Sequence, residues 1–215
     1  MVSGTTNDML EYNRFMDTAP NKKLGQQRYE KYLSWRNKHF PLSTTHPYFG
    51  NGMPEFIVFS SIIDTPGVRN AFFFSARMDR YEFTPEQYTL AIANCIQTNM
   101  SRDSTDSVNI YVDIRQKVGW PNVKVLQMLH ILKHIAATIT HFYPGRLNKL
   151  YVFSTPSFAQ AIWSLIRPVL DPIVASKVKL ISGYSNEAQP LPGALKKVMS
   201  DALIKEMVDI RNALM

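Results

Sequence analysis

With a single cysteine among 215 residues, the chain cannot form an internal disulfide. Cys95 therefore favours a reducing compartment and leaves the fold to be held by its core. Long apolar runs are also missing. Stretches such as Phe56 to Phe59 and Ala71 to Phe74 are strand-sized, far short of the ~20 residues of a membrane-crossing helix. Charged residues are 19% of the chain and hydrophobic ones 45%, the balance of an ordinary soluble globular protein. The glycines form neither a phosphate-cradling loop nor a dinucleotide fingerprint. The opening residues, Met-Val-Ser-Gly-Thr-Thr-Asn-Asp, lack a basic stretch followed by an apolar one, so no signal peptide is expected and a cytoplasmic location is.

Groups able to do chemistry are equally sparse. His130 and His134 stand four apart on one helical face, but no glutamate lies between them and they fall on a stripe assigned to solvent. Gly183-Tyr184-Ser185 lacks the closing glycine of a nucleophile elbow, and Cys95 sits on an apolar helical face. Asp113 ends a strand with no second carboxylate or histidine near it in sequence, and reads as a structural cap. The expectation is a protein without catalytic activity, metal or cofactor. Its formal net charge of +7 and pI near 9.5 should draw anionic partners. The basic residues are scattered, as in Lys22-Lys23 and Lys196-Lys197, without the arginine-rich or aromatic-basic pattern of a nucleic-acid binder. An anionic membrane surface, not nucleic acid, is the expected partner. Nothing in the sequence sets the oligomeric state.

Periodicity predicts a short helical N-terminal region over residues 1–45, broken at Pro20, a core over 46–190, and a C-terminal amphipathic helix over 191–215. Residues 41–54 read as a connecting loop, and Phe56 to Ile63 as a strand or a buried turn. The Phe-rich run Ala71 to Ala76 is a strand. Thr84-Pro85-Glu86-Gln87 then supplies an N-cap, a first-turn proline and a capping-box glutamine. Further strands are expected at Val108 to Ile114, Leu150 to Phe153 and Val178 to Ile181, with helices at 122–142 and from Phe158 to Leu170. Strands and helices alternate, the pattern of an α/β sheet with crossover helices. The helix after Pro156 is strongly apolar, with Phe158, Ile162, Leu165, Ile166 and Val169 at helical spacing, a pattern that by itself means core packing.

Tyr143-Pro144 with Arg146-Leu147 and Lys149, the strand closing at Pro156, Arg167-Pro168 with Leu170-Asp171-Pro172, and Ser176-Lys177 together resemble the CRAL-TRIO lipid-binding family. The run Tyr29 to Phe40 is similar to the end of the helical segment that precedes such cores. The resemblance implies a CRAL-TRIO-like sheet, a greasy cavity, and an apolar gate helix that swings out at a membrane and closes over a lipid. It implies Lys177 and Arg146 at the ligand headgroup. It implies Val108, Ile110, Phe153, Phe158, Ile162, Leu165, Ile166 and Val169 in the hydrophobic pocket or gate. Members that bind phosphatidylinositol pair a glutamate just after the Tyr-Pro with the Ser-Lys lysine. Here Gly145 replaces the glutamate and Lys177 matches the lysine, so half of that signature is present. Val108 and Ile110 stand where choline-lipid binders carry hydroxyls, which disfavours a choline lipid.

The implied function is non-catalytic binding and intermembrane transfer of a phospholipid or other large hydrophobic ligand, with transient membrane association. A C16 acyl chain offers on the order of 10 kcal/mol at ~0.8 kcal/mol per buried methylene, so exchange must occur against a bilayer. The alternative is a signalling or protein-interaction module that keeps the fold without lipid transfer, consistent with the shortened N-terminal segment.

Overall fold

The computed structural model describes residues 6–42, 52–170, 172–186 and 189–214, without the side chains of residues 6–8, 125 and 169. Its centre is one five-stranded sheet in the order β1-β2-β3-β4-β5, so every strand lies beside its sequence neighbour. β1 (Ile57–Phe59) runs antiparallel to β2 (Val68–Phe74). β3 (Ser107–Asp113), β4 (Leu147–Thr155) and β5 (Val178–Ser182) then add parallel to β2. Parallel neighbours need crossovers, and right-handed crossovers that always advance in one direction put each connecting helix on the same face. That face carries α3 (Pro85–Asn99) and α4 (Leu129–Phe142). It also carries the β4-to-β5 connection, made of α5 (Ala159–Ile166), a 3₁₀ turn (Arg167–Val169) and α6 (Pro172–Ser176), which touches α4.

Strand pleating divides the core in two. Ala71, Phe73, Val108, Ile110 and Val112 face the helices and pack with Tyr88, Ile92 and Ile96 of α3 and Ile131 of α4. The alternate residues Phe72, Phe74, Tyr111 and Phe153 face the other way, where no crossover covers them. The C-terminal segment closes this second face. A 3₁₀ turn (Gly193–Lys197) and α7 (Asp201–Ala213) press Leu195, Met199, Leu203 and Met207 onto it. Each such buried side chain contributes about 1.5–3 kcal/mol.

At the N-terminus α1 (Thr6–Thr18) and α2 (Lys22–His39) form a hairpin with its own small core of Phe15, Tyr29 and Tyr32. The two helices meet closely at Gly25, where a Cβ would come within 2.9 Å of the Phe15 carbonyl oxygen. Trp35 stacks on Phe142 at the end of α4, ring centroids 4.7 Å apart, and Arg14 donates to the carbonyls of Arg102 and Ser104 at 2.9 Å. Glu11, paired with Arg102 and hydrogen-bonded by the Tyr32 hydroxyl, completes the attachment.

The expected strands and the α3 capping box are present. Thr84 Oγ1 accepts from Gln87 N while Gln87 Oε1 accepts from Thr84 N. Three helices differ from expectation, the C-terminal one because it begins only at Asp201, capped by Ser200, with Leu195 in the preceding 3₁₀ turn (Gly193–Lys197). The helix predicted over 122–142 starts at Leu129, behind a 3₁₀ turn (Val125–Met128), because Asn122 is held at φ 54 with its side chain bonded to Lys117 and Trp120. The single gate helix predicted from Phe158 to Leu170 is two short pieces, α5 and the 3₁₀ turn, with α6 following beyond it. Pro168 has no N–H to continue it, and Leu170 is already extended. The loop predicted at 41–54 lies mostly outside the described residues, as does Asp171. Among the described residues, no helix is long and apolar enough to cross a membrane.

Candidate functional site

The helical face of the sheet is unevenly covered. Register aligns Ala71, Ile110, Leu150 and Val178 in one row across β2 to β5, and Phe73, Val112, Val152 and Leu180 in the next. The β2 and β3 members of both rows belong to the core under α3 and α4. The β4 and β5 members, Leu150, Val152, Val178 and Leu180, are only half-buried and belong to none of the buried clusters. They form an apolar floor that packing leaves only half-covered. As the crossover between β4 and β5, the α5–α6 segment lies over these strands, and it too is loosely seated. Ile162 is 9% exposed, whereas Phe158 is 59% and Leu165 48% exposed. Trp163 and Ile166 are half-buried.

The residues expected in the pocket are thus placed as follows. Val108 is buried under the helices and Ile110 packs beside it at the rim of the floor. Ile162 and Ile166 are the inward side of the lid, and Phe158 and Leu165 its outward side. The Val169 side chain lies outside the described residues. Phe153 departs from the expected placement: it is fully buried on the opposite face, under Leu195 and Met207, because it stands one pleat out of phase with Val152. Arg146 departs as well. It is 5% exposed, and its guanidinium donates to the carbonyls of Ser101, Ser104 and Asp106, stitching the loop before β3 to the start of β4. Burial, then the neighbouring Arg14 charge, pulls its pKa down to about 10, so it stays charged at neutral pH. Lys177 donates its Nζ to the Leu147 carbonyl at 2.6 Å and is half-buried at the same end of β4. Arg146 and Lys177 therefore flank one strand terminus, Arg146 as scaffold.

Where β4 leaves the sheet toward the lid, Ser154 adopts φ 61, a left-handed conformation unusual for serine. The pairing of β4 with β5 slips one residue there. Ser154 is fully buried, its Oγ has no hydrogen-bond partner, and its Cα would lie 3.1 Å from a Cβ placed on Gly183. An outlier of this kind stores strain at the point where β4 gives way to the crossover.

A charged cluster that sequence reading missed lies at the other end of the parallel strands. Asp113, fully buried, accepts from Arg115 N and from both arms of the Arg115 guanidinium, and from Arg211 at 3.2 Å. Arg211 also donates to the carbonyls of Arg115 and Gln116, and its guanidinium lies 4.7 Å from the Trp120 ring centre. Asp113 is a structural cap, as its strand-end position suggests, and it also ties α7 to β3. Its first partner, Arg115, is two residues away, but the second, Arg211, lies 98 residues on, beyond the reach of any local pattern. Cys95 is inert: burial, aided by Glu55, lifts its thiol to about 12. One cavity, of about 10 Å³, lies beside Glu11, Tyr32 and Arg146. Another, about 260 Å³, is bounded by Arg77, Asp79, Glu82 and Trp120. Neither is lined by the floor or the lid.

Comparison with known proteins bears on this arrangement. The family model of the CRAL/TRIO domain matches residues 67–206, from the start of β2 into α7. A CRAL-TRIO domain-containing protein of Saccharomyces cerevisiae is 30% identical over 61 residues, 28% of this chain and 20% of that protein. The crystal structure of Sfh5 superposes with a TM-score of 0.63 at 12% identity, over 82% of this chain and 65% of that one, a likeness of fold. The chain thus spans less than two-thirds of the length of either relative. With the family model covering well over half of its residues, the chain belongs to the CRAL/TRIO domain family.

Proposed function

We propose that this protein binds a large hydrophobic lipid on the β4–β5 floor and carries it between membranes, with the α5–α6 segment as the lid. Lipid binding or transfer is the general role that membership in the CRAL/TRIO family supports. The observation that carries the finer reading is the half-buried apolar floor of Leu150, Val152, Val178 and Leu180 beneath a crossover that keeps Phe158 and Leu165 in water. Leaving such residues half-wet forfeits burial at ~25 cal/mol per Å², a loss an acyl chain would recover. Lys177, at the end of β4, meets the ligand phosphate by exchanging its bond to the Leu147 carbonyl for a charge-assisted one. Arg146 holds the terminus that positions it. Phosphatidylinositol is the candidate ligand that the retained lysine favours. No residue in this site is asked to break a covalent bond, and the role is that of a carrier.

A second reading, a module that keeps the fold for protein contacts, draws support from the position of both cavities away from the lid. Extraction of the purified protein into organic solvent, followed by mass spectrometry, and transfer of a labelled phospholipid between vesicles separate the two. A stoichiometric lipid and transfer that drops when Leu150 and Leu180 are changed to serine are expected. Lipid-free protein that leaves labelled donor vesicles unchanged sinks the carrier reading.

A further inference from the structure

Charge is concentrated on one element. Between Lys22 and His39, α2 holds Lys22, Lys23, Arg28, Lys31, Arg36 and Lys38 against Glu30 alone, six minus one or +5 of the chain's formal +7. Its inner side is fixed by Gly25, Tyr29 and Tyr32, which are buried. At 100° per residue Lys23, Lys31 and Lys38 then fall within an outward stripe about 80° wide and roughly 22 Å long. All three are exposed. Arg28 and Lys31 reach toward the end of α4, where their charges, after burial, lower the pKa of His141. α4 has no acidic residue of its own, and His130, His134 and His141 share one of its stripes, His134 lying 3.8 Å from Glu86. α4 touches α2 and also the lid segment. α4 therefore links the helix that bears the cationic strip to the element on which Phe158, Leu165 and Ile173 are exposed.

We infer that the outer faces of α2 and α4 form an electrostatic dock for a bilayer surface rich in anionic lipid, which brings the lid against that surface. The inference rests on the lid reading above and adds to it the place where the membrane is held. Anionic headgroups complement the lysine stripe, and the acyl region beneath them takes up exposed aliphatic and aromatic side chains. Nucleic acid would satisfy the charge and leave Phe158, Leu165 and Ile173 in water.

The test is co-sedimentation of the whole chain with phosphatidylcholine vesicles, with and without about one-third phosphatidylserine, at low and high salt. Binding should require the anionic lipid and fall with salt. Each basic residue near an anionic leaflet contributes about five-fold. The triple variant Lys23→Ala/Lys31→Ala/Lys38→Ala should therefore lose at least about ten-fold in partitioning after screening, with an unfolding curve like that of the parent. A control, Lys196→Ala/Lys197→Ala/Lys205→Ala, removes the same charge from the segment covering the opposite face and should bind as the parent does. Equal loss in both variants means that net charge alone acts, and overturns the dock. So does unchanged binding in the first variant, or loss of binding to mixed-sequence RNA while vesicle binding persists. Co-purified lipid is measured on the same preparations. Its absence would count against the carrier reading whatever the vesicles show, whereas retained lipid with no response to the lysine changes counts against the dock alone.

Discussion

Single residues carry much of what the floor and lid require. Ser154 holds a left-handed backbone that costs a non-glycine residue about 1–2 kcal/mol, while a glycine there would give back roughly 0.5–1 kcal/mol through its freer unfolded chain. Ser154→Gly is therefore expected to raise stability by about 0.5–1 kcal/mol in urea unfolding, and to slow lipid exchange if the strain helps the lid to leave. His141 acts on stability through pH. Burial, then Arg28 and Lys31, depress its pKa below the ordinary 6.5. The unfolded chain thus binds the proton more readily, so stability is full above that value and is lost as the pH falls from 6.5 toward the depressed value. His141→Gln should flatten this part of a stability-against-pH curve. Glu206 titrates in a separate, more acidic window: burial alone would raise its pKa, but hydrogen bonds from Ser60 and Ser61 outweigh it and hold the carboxyl below its usual range. Arg146 shows where residue-level reading stops. Its charge is visible in the sequence, but the three loop carbonyls that consume its donors are brought to it only by the fold.

At the scale of elements, what could be read in advance was what local chemistry decides. The α3 start follows from four consecutive residues, and β3 and β5 follow from short β-branched runs bounded by polar turns. The face each strand residue would take could not be read. β4 is covered on both sides, so alternation does not say which half of it meets helices, and Phe153 lies a pleat away from the floor. The break in the lid was written in Arg167-Pro168 but masked by the apolar periodicity on either side. On the proposed carrier reading that break has a mechanical meaning: a lid of short pieces joined at Leu170 would lift α5 without unwinding a long helix. Trp163 reports the motion. Vesicles with brominated acyl chains should quench part of the emission of the parent protein, and Trp163→Phe should remove the quenched component while Trp35 and Trp120 remain. Quenching that persists in this variant would place the contact elsewhere.

The whole molecule is a sheet whose two faces are closed by different means. One is covered as the chain winds through its crossovers, the other only by a segment contributed at the end, pinned by Arg211 on Asp113 and by Lys117 donating to the carbonyls of Arg211 and Leu214. Deleting residues 199–215 strips Met199, Leu203 and Met207 from the second core and leaves Asp113 and Arg115 without Arg211. Removing one member of a buried charge pair costs about 3–5 kcal/mol, and each lost methionine or leucine about 2–5 kcal/mol. The shortened chain is expected to be recovered as aggregate, with no cooperative transition in circular dichroism. The order of synthesis has the same implication for the newborn protein. Strands β2 to β5 can emerge from the ribosome and pair while Phe72, Phe74, Tyr111 and Phe153 still face water. Only when the segment from Leu195 to Leu214 clears the exit tunnel does that aromatic surface find its cover, so nascent chains should depend on a holding chaperone until that segment has emerged.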